Sequence, residues 1–194
     1  MKGPVKAYLF IAALALIACQ APPVVQDAEA QSARKAPPER GPDVIYVPTP
    51  PETVDAMLKL GEVKPGDVLY DLGSGDGRIP IAAAKQYGVR GVGIDIDPNR
   101  IREANENAKS AGVTELVSFR QEDLFEADFG EASVITLYLL PSLNEKLMPR
   151  LLQLKPGTRI VSHAFPMGDW EPEQTQVTTA GGTIYRWTVP PRTP

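Results

Sequence analysis

The 194-residue chain is poor in the residues that build disulfides and metal sites. It contains one cysteine, Cys19, and one histidine, His163. A single cysteine cannot form an internal disulfide. We also predict no metal site.

The chain lacks both a basic segment and a long apolar one. Its formal net charge is −4, and no block of Lys and Arg stands out. Tight binding to nucleic acid through phosphate contacts is therefore disfavoured. The conspicuous apolar run covers residues 8–19. It is too short to cross a membrane as a helix, which needs about 20 residues.

The same run has the length and flanks of a signal-peptide core, because Lys2 and Lys6 precede it. Its end, Leu16-Ile17-Ala18-Cys19, resembles the bacterial lipobox, in which the cysteine is lipidated. We therefore expect residues 1–19 to be a signal peptide with a lipobox. The expected product is an exported lipoprotein, anchored to the membrane through Cys19 and facing the periplasm or the cell exterior. An ordinary signal peptide cut near residues 28–30 would instead give a soluble secreted or periplasmic protein.

Residues 20–42 are rich in Ala, Pro and Gln, which predicts a disordered linker. The folded domain is expected over residues 43–194, where apolar strand-like runs alternate with helical patterns. This alternation predicts an α/β fold with a parallel sheet covered on both faces. Two capping boxes, at residues 49–52 and 142–145, predict helix starts, and Gly61 is expected to end the first helix in a left-handed conformation.

A glycine-rich turn follows the first strand pattern and reads Asp71-Leu-Gly-Ser-Gly-Asp-Gly-Arg78. Such a turn brings bare backbone N–H groups close to a ligand, and the helix behind it favours negative charge. The dinucleotide fingerprint G-x-G-x-x-G would place its third glycine where this chain has Arg78. That mismatch disfavours an NAD(P)-linked oxidoreductase. Asp71 is well placed to accept from a cationic amine.

Further acids follow the next two strand patterns. Asp95 comes eighteen residues after Gly77, a spacing suited to the hydroxyls of a ribose. Asp97 precedes Pro98 and is expected to cap the following helix. Asp123 follows the third strand pattern.

Together these residues resemble motif I and its partner acids in the class I S-adenosylmethionine-dependent methyltransferases. The resemblance implies a Rossmann-like, doubly wound, mostly parallel seven-stranded sheet with a C-terminal antiparallel hairpin. It implies S-adenosyl-L-methionine as cofactor, with the methionyl ammonium near Asp71 and the adenine against Asp123 and Leu124. The residues expected to bind the cofactor are Asp71, Gly73, Ser74, Gly75, Gly77, Asp95, Ile96, Asp123 and Leu124.

The sequence says less about the molecule that accepts the methyl group. The set Tyr46-Val47-Pro48, the glycine turn and Phe165-Pro166…Trp170 is similar to small bacterial proteins related to mitochondrial protein-lysine methyltransferases. The segment after the fourth strand lacks the Asn/Asp-Pro-Pro-aromatic motif of adenine or glutamine amino-group methylation. The resemblance implies a methyltransferase that transfers a methyl group to a small-molecule or protein acceptor, with a protein lysine among the candidates.

Two side chains are candidates for the chemistry. Tyr138 is expected to face the methyl centre, and His163 could act as a general base near neutral pH. Tyr46 and Thr49 are expected to close over the methionyl end. The alternative function is a lipid-anchored module that binds a nucleoside or S-adenosyl compound without catalysis.

Overall fold

The computed structural model describes residues 41–42 and 45–192, and these form an α/β sandwich with helices on both faces of one sheet. The helices are α1 (Pro51–Leu60), α2 (Arg78–Tyr87), α3 (Pro98–Ala111) and α4 (Pro141–Leu151). The strands are β1 (Val68–Leu72), β2 (Arg90–Asp95), β3 (Val117–Gln121), β4 (Val134–Leu137), β5 (Arg159–His163), β6 (Gln174–Val177) and β7 (Thr183–Thr188).

The sheet has seven strands in the order β3-β2-β1-β4-β5-β7-β6. Strands β1 to β5 pair in parallel, whereas β7 runs antiparallel to both β5 and β6. The predicted fold, including the C-terminal hairpin, is confirmed. Because the carboxyl ends of parallel strands share one edge of a sheet, the loops after β1 to β5 all lie along that edge.

The two faces of the sheet bury different helices, because successive side chains of a strand point to opposite faces. On β1, Leu69 lies in a cluster with α1 and α2, whereas Tyr70 and Leu72 lie in a cluster with α4. The side chain of Asp71 shares the face of Leu69. That face is enclosed by helices, so this carboxylate is buried.

The helix ends follow the sequence only in part. Asp97 caps α3 as predicted, since its Oδ1 accepts from the Asn99 backbone N–H at 2.8 Å. Both predicted capping boxes are wrong: α1 and α4 each begin with a proline and have no side-chain cap. Proline at the first helical position has no N–H to satisfy, so these helix starts need less capping. Gly61 is right-handed (φ −71°), and Glu62 turns the chain instead (φ 49°).

The apolar sequence pattern of the fourth strand covers residues 134–139, but β4 itself ends at Leu137. It pairs with β5 as far as Leu137, opposite Ser162, and α4 begins at Pro141. Tyr138 and Leu139 therefore lie in the loop after β4, at the carboxyl edge.

The predicted signal peptide, the lipobox at Cys19 and nearly all of the predicted linker fall outside the described residues. Within the part that is described, we find no helix with the length and apolar character needed to cross a bilayer.

Candidate active site

A cavity of about 460 Å³ opens at the carboxyl edge of the parallel strands. Seven of the nine residues predicted to bind the cofactor line it: Asp71, Gly73, Ser74, Asp95, Ile96, Asp123 and Leu124. They follow β1, β2 and β3, so the topology brings together three segments that are separate in the sequence.

The glycine turn is fixed by backbone contacts with β2. The N–H groups of Gly73 and Ser74 both donate to the Ile94 carbonyl oxygen, at 2.8 and 2.9 Å. Gly73 has φ 84°, and a Cβ there would lie 2.9 Å from the Leu139 side chain. Glycine is therefore required at this position by both the backbone conformation and the lack of space.

The other two predicted glycines lie outside the cavity lining. A Cβ on Gly75 would lie 2.2 Å from the Tyr46 ring, and one on Gly77 would lie 2.5 Å from the Phe119 ring. Both residues have positive φ. These glycines let the Tyr46 and Phe119 rings pack directly on the turn.

Asp71 is buried at the end of β1, and its Oδ1 accepts from the Thr136 hydroxyl at 2.7 Å. Burial raises the pKa of Asp71 to about 7, and the neighbouring Asp95 and Asp76 carboxylates act in the same direction. The Thr136 hydrogen bond opposes this rise. A cationic group in the cavity would favour the ionised carboxylate.

Asp95 ties the glycine turn to the start of α3. Its Oδ2 accepts from the Gly75 N–H at 2.8 Å, and its Oδ1 accepts from the Asp97 N–H at 2.9 Å. Burial raises the pKa of the Asp95 carboxyl above its ordinary value. A carboxylate has about four lone-pair sites, so Asp95 keeps acceptor capacity for ligand hydroxyls.

The donor and acceptor groups of the cavity fit S-adenosylmethionine. Ser74 Oγ is buried and has no hydrogen-bond partner among the described residues. Asp71 offers a carboxylate to an ammonium and Asp95 offers one to ribose hydroxyls. Asp123 and Leu124 lie together farther along the same wall.

Sequence reasoning missed a charged pair at the rim of the cavity, Asp76 and Arg78. The Arg78 guanidinium donates to both Asp76 oxygens, at 2.9 and 2.6 Å. Burial opposes ionisation of Asp76, but its hydrogen bond to Arg78 and the guanidinium charge outweigh burial, so its pKa lies below the ordinary value. The sequence contained one sign of this pair, an arginine directly after the last glycine of the turn. From the sequence alone, Arg78 serves only to disfavour a dinucleotide site.

Ile45, Tyr46, Val47 and Thr49 line the cavity, and we call segment 45–49 its outer wall. That Tyr46 and Thr49 close over the methionyl end stays a prediction. The Arg100 guanidinium lies over the Tyr46 ring, 4.9 Å from its centroid. Thr49 does not cap α1; its hydroxyl lies 3.4 Å from His163 Nδ1.

The two predicted catalytic side chains lie against each other. Tyr138 lines the cavity, and its ring centroid is 4.0 Å from that of His163, at an interplanar angle of 43°. His163 is buried behind Tyr138 and is absent from the cavity lining. Burial lowers the pKa of His163, so its ring is neutral near pH 7. The general-base role stays a prediction, and the observed contact is with Tyr138.

Metal-ligating side chains do not gather in this part of the chain. Among the described residues, no three His, Cys, Asp or Glu side chains are arranged to hold a metal ion.

The part of the chain that contains most of the cavity residues matches a known protein family. Residues 71–174 match the ANTKMT methyltransferase domain family. A protein-lysine N-methyltransferase from Saccharolobus islandicus is 44% identical over 153 residues, which are 76% of this chain and 95% of the relative. The adenine nucleotide translocase lysine N-methyltransferase of Mus musculus is 34% identical, over 66% of this chain and 56% of its own length. The chain thus spans little more than half the length of that mouse relative.

A solved structure covers the same region. The crystal structure of an RNA methyltransferase from Salinibacter ruber, in complex with S-adenosyl-L-homocysteine, is 61% identical and has a TM-score of 0.73. The match covers 76% of this chain and 97% of that one.

Proposed function

Since the chain belongs to the ANTKMT methyltransferase domain family and is an S-adenosylmethionine-dependent methyltransferase, we propose that its acceptor is a lysine side chain of a protein. The observation that carries this proposal is the likeness to the archaeal protein-lysine N-methyltransferase, which extends over 95% of that relative. The aligned region comprises 153 residues, about the size of a whole folded domain.

The apolar part of the cavity lining suits a lysine. It is formed by Tyr138, Leu139 and Leu143, so an entering side chain would lose water on that side. Loss of water favours the neutral form of an amine and lowers its pKa, and the neutral form is the nucleophile. S-adenosylmethionine supplies a methyl group already activated on a sulfonium. The protein therefore needs chiefly to align the two reactants and to exclude water.

In this proposal the cofactor is held by residues from three loops. Asp71 accepts from the methionyl ammonium, and the backbone of the glycine turn lies against the same end. Asp95 accepts from the ribose hydroxyls, while Asp123 and Leu124 contact the adenine. The geometry that supports these assignments is the shared cavity lining, together with the acceptor capacity left on Asp71 and Asp95.

RNA is the second candidate acceptor, because the Salinibacter relative is named an RNA methyltransferase and is 61% identical. The charge of this chain argues against it. Its formal net charge is −4, whereas proteins that bind RNA through its phosphates gather Lys and Arg on the contact face.

The acceptor can be found by labelling. The full-length protein is incubated with methyl-tritiated S-adenosylmethionine and a cell extract, and one portion is then treated with protease and another with ribonuclease. We expect protease-sensitive label that acid hydrolysis recovers as methyl-lysine. The matched control is Asp95→Ala, which should transfer no label. Ribonuclease-sensitive label, or label on another amino acid, would overturn the lysine proposal.

We also propose that the protein is exported and anchored through a lipid on Cys19. This rests on the sequence of residues 1–19 alone: two lysines, a short apolar run and the lipobox-like end. Palmitate labelling in a bacterial host should occur, should be blocked by globomycin, and should vanish in Cys19→Ala. An unprocessed, unlabelled chain in the soluble fraction would overturn this proposal.

A further inference from the structure

Arg78 makes contacts that the glycine motif does not require. Besides its two bonds to Asp76, its NH1 donates to the Thr49 carbonyl oxygen at 2.8 Å, and its NH2 lies 3.4 Å from the Tyr46 hydroxyl. The guanidinium therefore joins the first turn of α2 to both ends of the segment that forms the outer wall of the cavity.

Two further contacts hold that wall at one place. The Tyr46 ring lies on Gly75, where a Cβ would be 2.2 Å from a ring carbon. On another side the ring contacts the Arg100 guanidinium. Tyr46 is thus enclosed by the glycine turn, by α3 and by Arg78, although 40% of its surface is exposed.

We propose that Arg78 is a positioning residue, which holds segment 45–49 over the cofactor cavity and so slows release of S-adenosylmethionine. Segment 45–49 makes no strand or helix of its own before α1 begins at Pro51. A segment without backbone pairing depends on side-chain contacts to stay in place. The Arg78 contacts to Thr49 and Tyr46 supply them.

Arg78 is well suited to this task because its planar guanidinium can donate in several directions at once. Asp76 takes one edge of the group and neutralises its charge, while NH1 remains directed at the Thr49 carbonyl. A lysine would provide the charge without this geometry. The inference concerns the cofactor alone and does not depend on whether the acceptor is a lysine.

The test is cofactor binding to the full-length protein. For Arg78→Met we expect about tenfold weaker binding of S-adenosylmethionine and S-adenosylhomocysteine by calorimetry, the size typical of losing a hydrogen bond from a charged group. The dissociation rate of the cofactor should rise by the same factor. For Arg78→Lys, the affinity and the dissociation rate should lie between those of the wild type and Arg78→Met. The control is Arg102→Met: this exposed arginine of α3 donates to Asn99 in the same helix, does not line the cavity and should behave as the wild type. Unchanged affinity and dissociation rate in Arg78→Met would overturn the proposal.

A double-mutant cycle separates action through the segment from direct contact with the cofactor. If Arg78 acts through the wall, the loss of affinity in Arg78→Met combined with Tyr46→Ala is smaller than the sum of the two single losses, because both changes remove the Arg78–Tyr46 contact. Fully additive losses would instead show a direct ligand role and overturn the proposal.

Chymotryptic cleavage after Tyr46, followed by mass spectrometry, gives a readout without cofactor. It should be faster in Arg78→Met than in the wild type and Arg102→Met. Equal cleavage rates in the three proteins would also count against the positioning role.

Discussion

The two ends of the cavity are built in different ways. The end at β1, β2 and β3 consists of the glycine turn, the buried Asp71 carboxylate and the half-buried Asp95 carboxylate. The end after β4 and β5 consists of Tyr138, Leu139 and the buried His163 behind them. The first end, which we call the polar end, offers hydrogen bonds and charge to a ligand. The second, which we call the aromatic end, offers an apolar surface.

The difference has a consequence for mutation. Changes at the polar end should act on cofactor affinity, and changes at the aromatic end should act on transfer to the acceptor with cofactor affinity unchanged. Variants of Asp71, His163 and Tyr138 test that division.

Asp71→Asn should produce the largest effect. Removal of the buried negative charge should weaken S-adenosylmethionine binding by about 100-fold, because a charge-assisted hydrogen bond to the ligand ammonium is lost. The same change should raise the Tm of the free protein at pH 8 by roughly 5 °C, since the folded state no longer holds an ionised carboxylate away from water. Calorimetry and thermal unfolding measure the two effects.

The matched control is Glu115→Gln, which removes an exposed carboxylate remote from the cavity. It should leave both the affinity and the Tm unchanged. Were Asp71→Asn to bind cofactor normally, the ammonium assignment at the polar end would be wrong.

Cofactor affinity should also depend on pH. The pKa of Asp71 is about 7 in the free protein, and the bound ammonium requires the ionised form. Affinity should therefore fall as the pH drops below about 7, approaching tenfold per pH unit. The raised pKa of Asp95 acts in the same direction. Titration calorimetry between pH 5.5 and 8 measures the cofactor affinity. An affinity that does not change with pH would contradict the assignment of Asp71 to the methionyl ammonium.

The polar end was predictable from the sequence because its geometry is local. The positions of Gly73, Ser74 and Asp95 follow from a turn and from strand ends that appear in the residue pattern, and the sheet order then brings them together. The alternation of strands and helices indicated the fold class for the same reason.

The aromatic end was only partly predictable because its contacts join distant segments. Thr49 had a sufficient explanation as a helix cap, yet its hydroxyl lies 3.4 Å from His163, more than a hundred residues away. Nothing in the local pattern around Arg78 indicates that it reaches the carbonyl of Thr49. Such contacts depend on how α1 and its leading segment dock on the sheet.

At the aromatic end, the substitutions His163→Asn and His163→Phe distinguish two roles of His163: support of the Tyr138 ring and general-base catalysis. If His163 supports the Tyr138 ring, His163→Asn lowers kcat about tenfold on the acceptor found by labelling, while His163→Phe keeps a ring there and retains most of kcat. Cofactor affinity should not change in either variant, because His163 lies outside the cavity lining.

Equal and large losses of kcat in both variants would instead favour the general-base role. The Tm of each variant is measured alongside, so that a general loss of folded protein is recognised. A parallel loss of cofactor affinity would contradict the division between the two ends.

The smallest expected effect is a change in the titration of His163 itself. Because the chain has one histidine, the imidazole C–H signals in a proton NMR spectrum belong to this residue alone. We expect a midpoint below 6.5, since burial disfavours the charged ring. In Tyr138→Leu the ring loses its aromatic neighbour and gains water, so the midpoint should move up toward the ordinary value. In Asp71→Asn, at the polar end, it should stay where it is in the wild type. A midpoint that moves with Asp71 and not with Tyr138 would mean that the two ends are coupled electrostatically, and the division drawn between them would fail.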